Sequence, residues 1–273
     1  MSGVFGQRKD RLYLPAIVWL LFVSAAAVLS PFLFTEASRR MDFRHALEAP
    51  SWAHWLGTDS LGRDLLSRMA CGCTVSLGIG VGAVCLALWV GTWFGAIAGY
   101  YGKQLDRIMM SFVDMMLCFP AIFLILSVVA ILGANALNIL CIIGLTGWMG
   151  TARLVRAEVM TLKERDFVRA SRVMGAGDLW ILSRHLLPNA MGPVLVNGVL
   201  GIANAVLIEA GLSFLGLGVQ PPMPSWGNIL TDGKATVGIA WWLIVFPGLA
   251  IFLTVCSFNV IGEHFRKIQG GGR

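Results

Sequence analysis

Long stretches without a charged residue alternate along this chain with short stretches dense in them. No Asp, Glu, Lys or Arg occurs over residues 13–34, 69–102 or 115–152. The first run is 22 residues, about 33 Å as a helix at ~1.5 Å per residue, which crosses a hydrocarbon core of about 30 Å. The third is 38 residues, too long for one helix, with a break at Gly133, Ala134 and Asn135. Spans are therefore expected near 13–34, 74–100, 108–132, 136–152, 190–209 and 238–261. A secretory signal also begins with basic residues and an apolar run, but its apolar part is about 7–15 residues. Residues 13–34 read instead as an uncleaved first span.

Composition agrees. Of 273 residues, 57% are hydrophobic and 13% charged, where a soluble domain carries about a quarter charged. The formal charge of +6 points to cytoplasmic loops rather than nucleic acid, because Lys and Arg gather on the inner side of membrane proteins. With the N-terminus inside, inner segments hold 15 Lys and Arg and outer segments six. The expected fold is thus all-α, with six transmembrane helices, N-in and C-in. Four of the six Cys (85, 118, 141, 256) sit in apolar runs as packed hydrophobes. Cys71 and Cys73 form a lone C-x-C with no second ligand pair, so neither a metal site nor a disulfide is expected.

One charged segment stands apart: RDFVRASRVMGAGDLWILSRHLLPN, residues 165–189. Phe167, Ala170, Val173 and Met174 make an apolar stripe at helical spacing, and Arg165, Arg169 and Arg172 fall on other faces. Gly175 and Gly177 offer a stop. Asp178 is expected to cap a second helix that Pro188 ends. A helix–turn–helix at the inner membrane face follows; its plainest role is gripping anionic lipid. On the outer side, HWLGTDSLGRDLLSR (54–68) leads into the second span, with Thr58 or Asp59 expected to cap a short helix near Leu61 that Gly62 weakens.

These segments resemble the membrane subunits of ATP-binding-cassette importers. That family's inner loop carries E-A-A-x3-G, then I-x-L-P about nine residues later. Here Arg169-Ala170-Ser171, Gly175 and His185-Leu186-Leu187-Pro188 hold the spacing, with Arg169 in place of Glu and Ser171 in place of the second Ala. The 54–68 stretch resembles H-x-LGTD-x-x-GRD-x-x-SR of the dipeptide/oligopeptide/nickel subfamily's C-type subunit. Residues 100–120 and LSFLGLGVQPPMPSWG (212–227) are similar to two further stretches of it, with Ser111 where the former has Arg.

The resemblance implies a type I importer permease fold. It divides the chain into 1–72 (tail, first span, outer segment), 73–262 (five further spans, with an ATPase-coupling loop at 151–188) and a tail, 263–273. It implies that Phe167, Arg169, Ala170, Ser171, Met174, Gly175, Asp178, Leu187 and Pro188 form that coupling loop. It also implies a heterodimer with a related B-type permease, two cytoplasmic ATP-binding subunits that hold ATP and Mg, a periplasmic or lipid-anchored binding protein, and a bacterial inner (plasma) membrane. Gly57, Thr58, Asp59, Gly62, Arg63 and Asp64, with Phe214, Gly216, Pro221, Pro222 and Trp226, are expected to dock the binding protein or form the outer gate, though Trp226 and Trp52 read first as interfacial anchors. Cargo would be di- or oligopeptides, with nickel or another chelated metal as the alternative.

No catalytic or metal-ligating set is expected. The chain lacks a G-x-x-x-x-G-K-[ST] phosphate loop, so hydrolysis falls to a partner. A membrane-embedded enzyme needs convergent His, Asp or Glu at depth, whereas the four His (45, 54, 185, 264) lie in loops or at ends. A secondary transporter or channel expects midplane ionisable groups, yet the fourth and sixth spans have none. Two intramembrane charges remain. Asp114, about 10 Å deep at ~1.5 Å per residue from Arg107, is expected to pair with an inner-face Arg. Glu209 either lines the pathway or sits among headgroups.

Overall fold

The computed structural model describes residues 12–270; the basic residues 8–11 and the final three residues, which entered the charge count, lie outside them. The described chain is helical. In order, α1 is Tyr13–Leu33, α2 Thr35–Arg39, α3 Leu65–Tyr101, α4 Lys103–Leu117, α5 Ala121–Leu132, α6 Ala136–Leu162, α7 Asp166–Val173, α8 Asp178–Ile181, α9 Leu187–Phe214, α10 Trp226–Lys234 and α11 Trp242–Gly270. α1, α3, α6, α9 and α11 are each long and apolar enough to cross a membrane, and α4 with α5 makes a sixth, broken span bent by 78°. Below, "outer" and "inner" name the two ends as the Lys/Arg asymmetry assigns them.

Most spans overrun their expected limits. α3 has 37 residues, about 55 Å at ~1.5 Å per residue, so it crosses the bilayer and projects beyond it. Asp64 caps it, accepting from Ser67 N at 2.9 Å and Ser67 Oγ at 2.8 Å. The expected helix near Leu61 does not form: Asp59 does accept from Leu61 N, but Gly62 (φ +71°) turns the chain out of the right-handed helical region there. α3 also runs through the expected boundary at 72/73, and α11 through that at 262/263.

The third span is two helices rather than one kinked helix. Pro120 has no N–H to continue α4's ladder and becomes the residue before α5. Pro188, by contrast, does not end the second hairpin helix. Residues Leu182–Leu186 widen into a π-turn, in which Leu187 N donates to Leu182 O. A wider turn accommodates the proline ring, and α8 passes through it into α9.

α3 and α6 pack through a glycine row. A Cβ at Gly91 would stand 2.6 Å from Trp148 O, at Gly95 2.2 Å from Ala152 O, and at Gly99 2.8 Å from Arg156 O. Small residues four apart let two backbones meet closely, which matters in lipid, where burying apolar side chains gives little drive. Buried Ala96, Val155 and Val159 flank this seam and join Val168, Ile181 and Leu186 of the inner hairpin in one cluster. We predict that Gly95→Ala, which forces two backbones apart, costs about 1–3 kcal/mol and lowers the thermal midpoint of the detergent-solubilised protein. Gly78→Ala, where a Cβ meets nothing within 4 Å, should leave it unchanged or higher.

Candidate functional site

The two ends of α3 carry the two polar constellations. At the outer end, residues 57–68 fold into a buried knot. Gly57 (φ +84°) and Gly62 (φ +71°) turn the chain in the left-handed region, and a Cβ at Gly62 would lie 1.8 Å from Asp42 O. Thr58 Oγ1 donates to His45 O at 2.5 Å and accepts from Glu48 N at 2.8 Å. Asp59, with no exposed surface, accepts from Leu61 N at 2.8 Å and Arg63 N at 2.9 Å. Its Oδ2 takes Arg63 Nε at 2.6 Å and Arg68 Nη1 at 2.5 Å. Arg68 also donates to Asp232 of α10 at 2.8 Å, and Trp242 Nε1 of α11 donates to Thr58 O at 3.0 Å. The knot thereby ties the loop to α3, α10 and α11.

This burial bears on the docking reading of these residues and not on the outer-gate one. Gly57, Thr58, Asp59, Gly62 and Arg63 are buried, so they brace the outer end from within, and Asp64 is occupied capping α3. Trp226, only 1% exposed, is no interfacial anchor: its indole donates to Met69 O at 3.2 Å. Trp52 does stand free, 95% exposed. Phe214, Gly216, Pro221 and Pro222 are exposed and remain available to a partner.

Glu209 neither lines an open path nor reaches headgroups. It is fully buried, accepting from Ser76 Oγ of α3 at 2.9 Å and Ser213 Oγ at 2.8 Å. Ser76 in turn accepts from Trp226 N at 3.1 Å, so the carboxyl joins α3, α9 and α10. Asp114 pairs with Arg153 of α6, and Asp106 takes Arg156 Nη2 at 2.6 Å. Both pairs pin α4 beside α6.

At the inner end, α7, the Gly175 turn and α8 form the hairpin. Gly175 (φ +83°) has open space where a Cβ would go, and Ala176 N reaches back to Ser171 O at 3.0 Å, a glycine-dependent helix stop. The face turned inward is Val168, Ser171 and Ile181. The expected apolar stripe points away: Phe167 is 39% exposed, Val173 88% and Met174 79%, beside Leu179 at 73% and Trp180 at 51%. Arg169 and Ala170 share this exposed side, Leu187 is half-buried and Pro188 exposed.

Asp178 does not cap α8. Gly177 precedes that helix without a side-chain bond, and Asp178 Oδ1 accepts from Tyr100 Oη at 2.6 Å. The Arg172 guanidinium lies 5.4 Å above the Tyr100 ring. Lys163 Nζ donates to Gly99 O at 2.9 Å. The contacts of Asp178 and Arg172 fasten the hairpin to the last turn of α3, and that of Lys163 fastens the end of α6 there. Tyr100 and Lys163 escaped the sequence reading, as did the Gly91-x3-Gly95-x3-Gly99 row, whose spacing of four was the available signal.

Residues 91–269 match the family model of the binding-protein-dependent transport system inner membrane component. The chain belongs to this family. It is a multi-pass membrane protein of the permease type. It is 38% identical over 259 residues to the dipeptide transport system permease protein DppC of Alkalihalophilus pseudofirmus, covering 95% of this chain and 85% of that protein. To the glutathione transport system permease protein GsiD of Pectobacterium atrosepticum it is 39% identical over 259 residues, covering 94% and 86%. To the oligopeptide permease OppC of Haemophilus influenzae it is 36% identical over 260 residues, covering 94% and 84%. The permease fold also matches a chain of the inward-facing MetNI methionine ABC transporter: TM-score 0.51 at 20% identity, over 74% of this chain and 97% of that one.

Asp59 should be the most sensitive residue of the outer knot. Asp59→Asn keeps its volume but leaves Arg63 and Arg68 with Asp232 alone. Removing one member of a buried ion network costs about 3–5 kcal/mol, so the variant should unfold at a clearly lower temperature. Asp114→Asn breaks a pair whose side chains are 60% and 52% exposed, and should cost less than about 1 kcal/mol. A calorimetric scan of both variants separates the two cases.

Proposed function

We propose that this permease forms half of the translocation pathway of an ATP-driven peptide importer in a bacterial inner membrane, and that hairpin 165–189 couples it to a cytoplasmic ATPase. The observation that carries the coupling role is the exposed stripe of Phe167, Val173 and Met174 with Leu179 and Trp180. A contiguous exposed apolar patch marks an interaction surface. This patch sits on a hairpin fastened by hydrogen bonds to α3 and continuous with α9, so a push on it reaches two core helices. Arg169, in place of the motif's Glu, lies on the exposed side, where it pairs with Glu164 at 3.4 Å.

Peptide cargo is supported by the relatives named for dipeptide, glutathione and oligopeptide transport, which favour it over nickel. The remaining parts follow from the machine: a related permease, two ATPase subunits that hold ATP and Mg, and a binding protein that meets exposed Phe214, Gly216, Pro221 and Pro222. In this reading the permease itself carries out no bond chemistry.

The test is reconstitution into liposomes with the partner permease, ATPase and binding protein, following uptake of labelled di- to pentapeptides. Uptake should require ATP. Val173→Asp/Met174→Asp should lower it about tenfold or more, the equivalent of ~1.4 kcal/mol of docking energy, with an unchanged thermal midpoint. ATP-independent uptake, or full uptake by the double variant, would contradict the coupling role; uptake of a nickel chelate instead of peptide would overturn the cargo alone.

A further inference from the structure

We propose that His45, Glu48 and His54 form a site for a first-row divalent cation, zinc or a close analogue, on the outer crest of the permease. One ligand atom from each residue lies within 4.8 Å of the other two. His45 Nδ1 and Glu48 Oε1 are 2.8 Å apart, with side chains 48% and 42% exposed. His54 packs against His45 with ring centroids 5.9 Å apart. Tetrahedral zinc at about 2.0–2.1 Å from its ligands holds them about 3.3 Å from each other. Small rotations of these half-exposed side chains close that gap, and the exposed side leaves a position for water.

Two imidazoles and a carboxylate suit zinc, copper or nickel better than calcium or magnesium, which take oxygen ligands. Behind His54 stands a second carboxylate within hydrogen-bonding reach, while Asp42 lies near His45 but beyond that reach. Asp64 Oδ1 is 3.1 Å from His54 Nδ1, and Asp42 Oδ2 is 4.0 Å from His45 Nε2. A carboxylate on one ring nitrogen fixes the tautomer and frees the other nitrogen for metal. Asp64 gives the site a route inward, because its other oxygen accepts from Ser67 N and caps α3. Glu48 N donates to Thr58 Oγ1 at 2.8 Å, so metal would add a bond between His54 and the His45–Glu48 pair, which are otherwise joined only by ring packing. Occupancy therefore stiffens the outer surface and reports to the N-terminus of α3.

The experiment is titration of the chelator-stripped, detergent-purified permease with ZnCl2 by calorimetry, repeated with CoCl2 by absorption. A saturable site of one ion per chain is expected, raising the thermal midpoint. His45→Ala and His54→Ala should each abolish it while keeping the metal-free midpoint. Asp64→Asn, which can still cap α3, should weaken it about 10- to 100-fold. Titrations of the two alanine variants that match the parent would overturn the site. So would sulfur-to-cobalt charge-transfer bands, which would place the ion on Cys71 or Cys73 instead.

Discussion

The architecture hangs on the close approach of α3 to α6. In water, two helices are driven together by burying apolar surface, but in lipid that drive is nearly absent and packing must supply the difference. Gly91, Gly95 and Gly99 let the α3 backbone approach the carbonyls of Trp148, Ala152 and Arg156 closely. Because α6 continues to Leu162 and meets the α7 hairpin just beyond it, this seam also sets where the hairpin sits.

α3 then acts as the common strut. Its outer end is held by the Asp59, Arg63, Arg68 and Asp232 network, its middle by Ser76 and Glu209, its inner end by Tyr100 and Asp178. Each fastening joins a different neighbour, so a displacement at the hairpin is not absorbed locally. A rigid element with partners at both ends is what a two-state transporter needs to relay a bias across the membrane. The hairpin's unfastened side is its apolar face, which is where a moving partner has to grip.

Much of this was written openly in the chain. Charge-free runs gave the spans to within a few residues at most of their starts, and Gly175 was recognisable as a stop because a helix end there needs a left-handed residue. Long-range polar bonds were not readable. Asp59 looks like an exposed loop residue until Arg68 and Asp232, the latter far along the chain, fold around it. Asp178 looks like a cap until Tyr100 claims its carboxylate. Trp226 has the composition of an interfacial anchor, and only the packing of α10 on α3 buries it. Pro188 misled for a related reason, since a π-turn carries the helix past a residue that would stop an ordinary one.

The most direct test of the account is site-specific photo-crosslinking from position 173 or 174 in the assembled transporter, with the adduct identified by mass spectrometry. A single adduct with the cytoplasmic ATPase subunit is expected, its yield changing between nucleotide-free and ATP-bound states. Adducts with lipid alone, or with the partner permease alone, would show that the hairpin is a membrane anchor or a dimer contact and not the coupling element.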